Sequence, residues 1–179
     1  MQARAVAWIL AAVLAGCGAS QGPAVADMSI EEHLRLAAEL EQRARDAEWD
    51  RRERLEREAR QHRLAADALR TEEDRSCGEI QPEVRAACPL VERVSGVEEA
   101  PEGVQLTLRP DAPRDEVFAR VRCHLGFARS HGHEGMDECP LYVAGVEATL
   151  EDDGVVLTAS GEDAVAELRR RAQGLAQAR

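Results

Sequence analysis

The C-terminal half of this 179-residue chain repeats itself. Cys88-Pro89-Leu90 recurs 51 residues later (139 − 88) as Cys139-Pro140-Leu141. Gly103-Val104-Gln105-Leu106-Thr107 recurs at that same offset as Gly154-Val155-Val156-Leu157-Thr158. Between them Gly96-Val97-Glu98 answers to Gly145-Val146-Glu147 at an offset of 49, so a compensated two-residue gap reconciles three collinear matches. A period of this length predicts two like units, neither able to bury its apolar face alone.

Each copy reads in the same order. A strand follows Cys-Pro-Leu (about 91–98 and 142–150), and an acidic, glycine-bearing turn comes next (Pro101-Glu102-Gly103; Asp152-Asp153-Gly154). An alternating strand then follows (104–109; 155–159). A helix closes each copy, with Val117, Phe118, Val121, Leu125 and Ala128 on one face of the first and Val165, Leu168, Ala172 and Leu175 on the second. The spacing predicts an α+β fold of ββα–ββα order over residues 77–179, with one antiparallel four-stranded sheet covered on one face by two helices. Only 3% of the chain is aromatic, so its core must be built from Val, Leu and Ala. A unit that small gains from covalent staples.

The segment before it is different in kind. From Ser29 to Ser76 there is neither glycine nor proline, and Ala, Leu, Glu and Arg dominate; all four are strong helix formers. Ser29-Ile30-Glu31-Glu32 has the form of a capping box, and Gly78 supplies a stop. The expectation is one charged helix over residues 29–76, about 70 Å long if unbroken. Its apolar stripe (Ile30, Leu34, Ala37, Ala44, Leu55, Ala59, Leu69) is interrupted by Glu41, Glu48, Arg51 and His62, thin for a coiled coil. The segment's 14 acidic and 11 arginine residues allow many i,i+4 pairs. It reads as a solvated spacer, with self-association or a protein partner as the alternative use. His33 and His62 stand 29 residues apart and suggest no metal site.

The basic residues are all arginine, and the net charge is −11. No basic stripe with interleaved aromatics exists, which argues against nucleic acid. No Gly-x-Ser-x-Gly elbow or phosphate-cradling glycine loop is present. The expectation is therefore a non-catalytic protein without a cofactor.

At the N-terminus one arginine precedes an apolar run from Ala5 to Leu14. Such a run is too short to span a bilayer and reads as a secretory signal. Its end, Leu14-Ala15-Gly16-Cys17, resembles the lipobox of bacterial lipoproteins. The resemblance implies that residues 1–16 are removed and that Cys17 becomes the acylated first residue, carrying palmitate-type chains that anchor it to a membrane. Proteins of that family kept at the inner membrane commonly carry Asp after the cysteine. Gly18 instead implies the outer membrane, with the body facing the periplasm. Residues 17–28 then serve as a flexible tether. The run Cys123-His124-Leu125-Gly126-Phe127-Ala128-Arg129-Ser130-His131-Gly132 with Cys139-Pro140-Leu141-Tyr142 resembles a group of uncharacterised bacterial lipoproteins and periplasmic proteins, and implies no particular activity.

Cys77, Cys88, Cys123 and Cys139 remain. Four cysteines in an exported chain predict two disulfides in one of three connectivities. Each unit closing on itself favours Cys77–Cys88 and Cys123–Cys139, and a loop of about 15 residues closed this way is worth roughly 3 kcal/mol. The alternative is a copper or zinc site formed by Cys123, His131, His133, Met136 and Cys139, a soft donor set in one short segment. His124 is set apart from it, since neighbours on a helix point about 100° apart.

Overall fold

The computed structural model describes residues 28–177 apart from 79, 86 and 153. The expected signal segment 1–16, Cys17 and the tether up to residue 27 lie outside them.

The capping box forms. The Glu32 backbone N–H donates to Ser29 Oγ (3.3 Å), and the Ser29 N–H donates to the Glu32 carboxylate (2.7 Å). The hydrogen bonds that the Ser29 N–H and then its hydroxyl donate to the Glu32 carboxylate hold that carboxyl below its usual range. Helix α1 (Ile30–Arg45) starts there, but the charged segment is not one helix. It breaks at Asp46-Ala47-Glu48 and continues as α2 (Trp49–Cys77), folded back on α1 as an antiparallel hairpin. No glycine or proline makes the turn. Arg52 reaches back to donate to the carbonyls of Ala44 (3.2 Å) and Ala47 (3.0 Å), bracing the turn. The gain is burial: Ala37, Leu40 and Ala44 close against Leu55 and Ala59. In a straight helix all five would face water. Glu41 and Arg63 pair across the hairpin, and His33 and His62 share a 2.8 Å hydrogen bond between their Nδ1 atoms.

The second half of α2 runs past the end of the hairpin and packs on α4 (Arg114–His131). A short helix α3 (Pro82–Arg85) lies between them in the chain. The strands are β1 (Val94–Ala100), β2 (Gly103–Leu108), β3 (Glu147–Glu151) and β4 (Gly154–Thr158), joined in one antiparallel sheet of order β1-β2-β4-β3. The first strand of each hairpin begins later than its sequence suggests. Pro89–Arg93 is a turn, with Glu92 at φ 60°, and Pro140–Tyr142 is one turn of 3-10 helix. The sheet's inner residues Val104, Leu106, Val155 and Leu157 lie under α4 and α5 (Glu162–Gln177) in a single core. The helices cross over. α5, which follows β4, packs on β1 and β2, whereas α4, which follows β2, packs on β3.

The central β2–β4 pair is symmetric in register: Gly103 faces Thr158 and Thr107 faces Gly154. Both glycines are required by close approach. A Cβ on Gly103 would strike the Leu157 carbonyl oxygen, and one on Gly154 would strike that of Leu106.

Two outcomes test this description. Gly103→Ala should lower stability by roughly 2–3 kcal/mol, as overpacking against backbone does; urea unfolding would measure it, and a neutral result would mean that the two strands stand further apart. The second concerns His33, whose imidazole burial and the neighbouring His62 hold below its ordinary pKa, with Glu32 opposing. The unfolded chain therefore binds this proton more readily, and the stability present above about pH 6.5 is lost as pH falls below it. The melting temperature should be higher at pH 7.5 than at pH 5.5, and His33→Gln should shrink that difference.

Candidate functional site

The chemistry-bearing residues gather around the C-terminal half of α4. One face of this helix meets α2 so closely that a Cβ on Gly126 would stand 3.1 Å from the Ser76 Cβ. At that crossing Cys123 is disulfide-bonded to Cys77, their Cα atoms 4.3 Å apart. The second bond joins Cys88 to Cys139, with Cα atoms 5.9 Å apart. The expected pairs Cys77–Cys88 and Cys123–Cys139 are thus corrected. Neither bond closes a short loop: one ties the hairpin to α4, and the other ties together the two Cys-Pro-Leu segments. The physical reason is that the chain brings both strand-opening segments to the His124 face of α4, where Cys88, Cys139 and His124 cluster, while Cys77 at the end of α2 meets Cys123 on another face.

Beside the first bond, Glu73 on α2 accepts from Arg85 on α3 (3.2 Å) and faces His131 Nε2 at the end of α4 (3.0 Å). His131 also lies against the Phe127 ring, with centroids 4.3 Å apart. Ser130 donates to the Leu69 carbonyl (3.2 Å). These contacts lock three helices together around a carboxylate that is mostly buried.

His124 points the other way. It is 1% exposed, and its Nδ1 lies 2.7 Å from the Arg85 carbonyl oxygen. A carbonyl can only accept, so Nδ1 carries the proton and Nε2 presents its lone pair. That nitrogen faces Cys139 Sγ at 3.4 Å. Burial holds the imidazole below its ordinary pKa, although the hydrogen bond to Arg85 works in the opposite sense. The Tyr142 ring closes the other side, with centroids 4.9 Å apart, and burial raises the Tyr142 phenol above its usual pKa. The ligand atoms of Cys88, His124 and Cys139 all lie within 4.8 Å of one another.

The soft donors expected to act together are divided. Cys123 belongs to the buried α2–α4 bond, Cys139 to the other, and His131 to Glu73. His133 lies edge-on to Tyr142 at 6.4 Å between centroids. Met136 lines a groove of about 770 Å³ together with Cys88, Cys139 and Arg171. Arg171 donates to the carbonyls of Met136 (3.2 Å) and Cys139 (3.4 Å), fixing this segment against α5. Its neighbour Glu167 takes hydrogen bonds from Arg170 and Arg171, which hold its carboxyl down to about 2. The expected set omitted Cys88 and His124. The 100° separation of Cys123 and His124 was the available signal: it assigns the two residues to different sites.

Fold and site together define a doubly disulfide-linked α+β protein with a charged helical hairpin. No family model matches the chain, and neither a curated protein nor a solved structure matches it. Among the described residues no helix is long and apolar enough to cross a membrane.

A disulfide map checks this arrangement. Peptides from unreduced protein should carry the links 77–123 and 88–139, and finding 77–88 would overturn the description. Replacing Cys77 and Cys123 by serine should lower stability by about 4 kcal/mol, the chain-entropy value for a loop of this length, as read from urea unfolding.

Proposed function

We propose that this chain is a lipid-anchored cell-envelope protein that acts by contact with another protein and not by catalysis. Acyl chains on Cys17 hold it at the outer membrane, and its body faces the periplasm on the tether 17–28. The observation that carries this reading is the covalent cross-linking of the body, with both bonds spanning long stretches of chain, 46 and 51 residues. Bonds of this kind persist in oxidising compartments, which is where a signal segment over 1–16 and the lipobox-like Leu14-Ala15-Gly16-Cys17 would deliver the chain.

The two hairpin–helix runs are copies of one ββα unit in this reading, supported by the 51-residue offset and the symmetric β2–β4 register. The charged hairpin is the spacer and the contact surface. Its own apolar stripe is spent within the hairpin, so a partner would meet the outer face. Trp49 beside the turn is 73% exposed and Leu64 on α2 is 68% exposed, both large apolar side chains standing in water.

The test is metabolic labelling with a palmitate analogue followed by membrane fractionation. Wild-type protein should be labelled and should sediment with outer membranes, whereas Cys17→Ser should be unlabelled and released. Unlabelled, freely soluble wild-type protein would end the anchoring proposal. Turnover of an envelope substrate that depends on the body of the protein would end the non-catalytic one.

A further inference from the structure

The two disulfides differ in their surroundings. Cys77 and Cys123 are each 1% exposed and are enclosed between helices. Cys88 is only half-buried, and it lines the groove with Met136, Asp137 and Glu138 beside its partner Cys139. A buried imidazole whose Nε2 lone pair faces Cys139 Sγ stands directly behind this second bond. A structural disulfide has no need of such a neighbour. We infer that the Cys88–Cys139 bond is a redox gate over a metal site, and that its reduction frees Cys88, Cys139 and His124 to bind one zinc-class cation.

The reduction requires a dithiol. One of its thiolates attacks the accessible Cys88 sulfur, a bond forms between them, and Cys139 leaves as the thiolate beside His124. The dithiol's second thiolate then displaces Cys88 and closes its own disulfide. Two electrons and two protons pass from the dithiol to the protein, leaving two thiols. On metal binding those thiols release two protons to solvent, and His124 ligates through the lone pair that it already presents.

The geometry suits this outcome. A tetrahedral zinc ion with ~2.3 Å to sulfur and ~2.0–2.1 Å to nitrogen places those two atoms about 3.5 Å apart. Nε2 and Cys139 Sγ are 3.4 Å apart. The two sulfurs must part to about 3.8 Å, a movement that rotation of the half-buried Cys88 side chain supplies. The Nδ1 hydrogen bond to the Arg85 carbonyl is the outer-shell contact that sets the tautomer and ring direction of a metal-bound histidine. Two cysteines and one histidine leave the fourth position open toward the groove. This donor set differs from the segment 123–139 considered as a unit, because it draws Cys88 from the first Cys-Pro-Leu and leaves Cys123 in its own bond. It does not depend on the lipid anchor or on a protein partner.

The experiment uses the full chain carrying Cys17→Ser, treated anaerobically with limiting dithiothreitol. Alkylation and peptide mapping should show Cys88 and Cys139 free while the 77–123 link survives. Cobalt(II) should then bind at one ion per chain with a thiolate-to-cobalt charge-transfer band, zinc(II) should displace it, and zinc should protect Cys88 and Cys139 from alkylation. Oxidised protein should show none of this. Cys139→Ser should abolish the band. His124→Gln should weaken binding on the order of 10–100-fold or more, while the double variant His131→Ala, His133→Ala should keep it. Because His124 is buried, variants are compared only where circular dichroism shows native helix content, and the protection measurement on the Cys17→Ser chain with no further change stands alone if they misfold. The proposal is overturned if the reduced Cys17→Ser chain binds neither ion, if zinc leaves both cysteines open to alkylation, or if the oxidised form binds equally well.

Discussion

Where α2 crosses α4, two separately weak parts of the molecule are held to each other. The hairpin's private core is only Ala37, Leu40, Ala44, Leu55 and Ala59, mostly alanine, and by itself would be marginal. What fixes it is the continuation of α2 onto α4, where Gly126 permits contact with Ser76, Glu73 receives Arg85 and His131, and Cys77 is bonded to Cys123. The same crossing settles α4 itself. With one face of α4 committed to α2, its other face carries Val117 and Val121 into the sheet core and His124 toward Cys139. A change at this contact would therefore be felt at the hairpin, the sheet and the sulfur cluster together.

The two disulfides stabilise by the same entropic means but sit in different chemical settings. One is shut between helices and has no route to reagents. The other borders a groove, next to an imidazole oriented by a backbone carbonyl. That contrast separates a bond kept for structure from one suited to exchange, since access to sulfur and the character of its neighbours govern thiol chemistry.

Much of the body was legible in the sequence because its signals are local. Alternation at Gly103–Leu108 and Gly154–Thr158, and the 3.6-residue spacing of Val165, Leu168, Ala172 and Leu175, depend on nothing distant. The Ser29–Glu32 box was equally explicit. The helix break was not, since Asp46-Ala47-Glu48 contains no glycine or proline, and the turn is specified by alanines and leucines that meet only after it has formed. The disulfide pairing failed for a related reason. Pairing each cysteine with its near neighbour in sequence ignored that the fold brings the two Cys-Pro-Leu segments together, as the Cys88–Cys139 bond shows. His124 and Cys123 do face apart, one toward Cys139 and the other bonded to Cys77. The neighbour of His124 comes from a loop that no local pattern connects to it.

The antiparallel hairpin also decides how the molecule would carry a load. α1 starts beside His62, at the last turn of overlap with α2, while the far end of α2 is clamped to α4. Tension applied between residue 28 and the sheet would pull α1 away from that end. The contacts of α1 with α2 and α4, the His33–His62 contact among them, would take that load, with successive turns toward Asp46 meeting it in sequence instead of all in shear. The hairpin is thus loaded by opening from its free end, whereas the body beyond Cys77 is held by two cross-links.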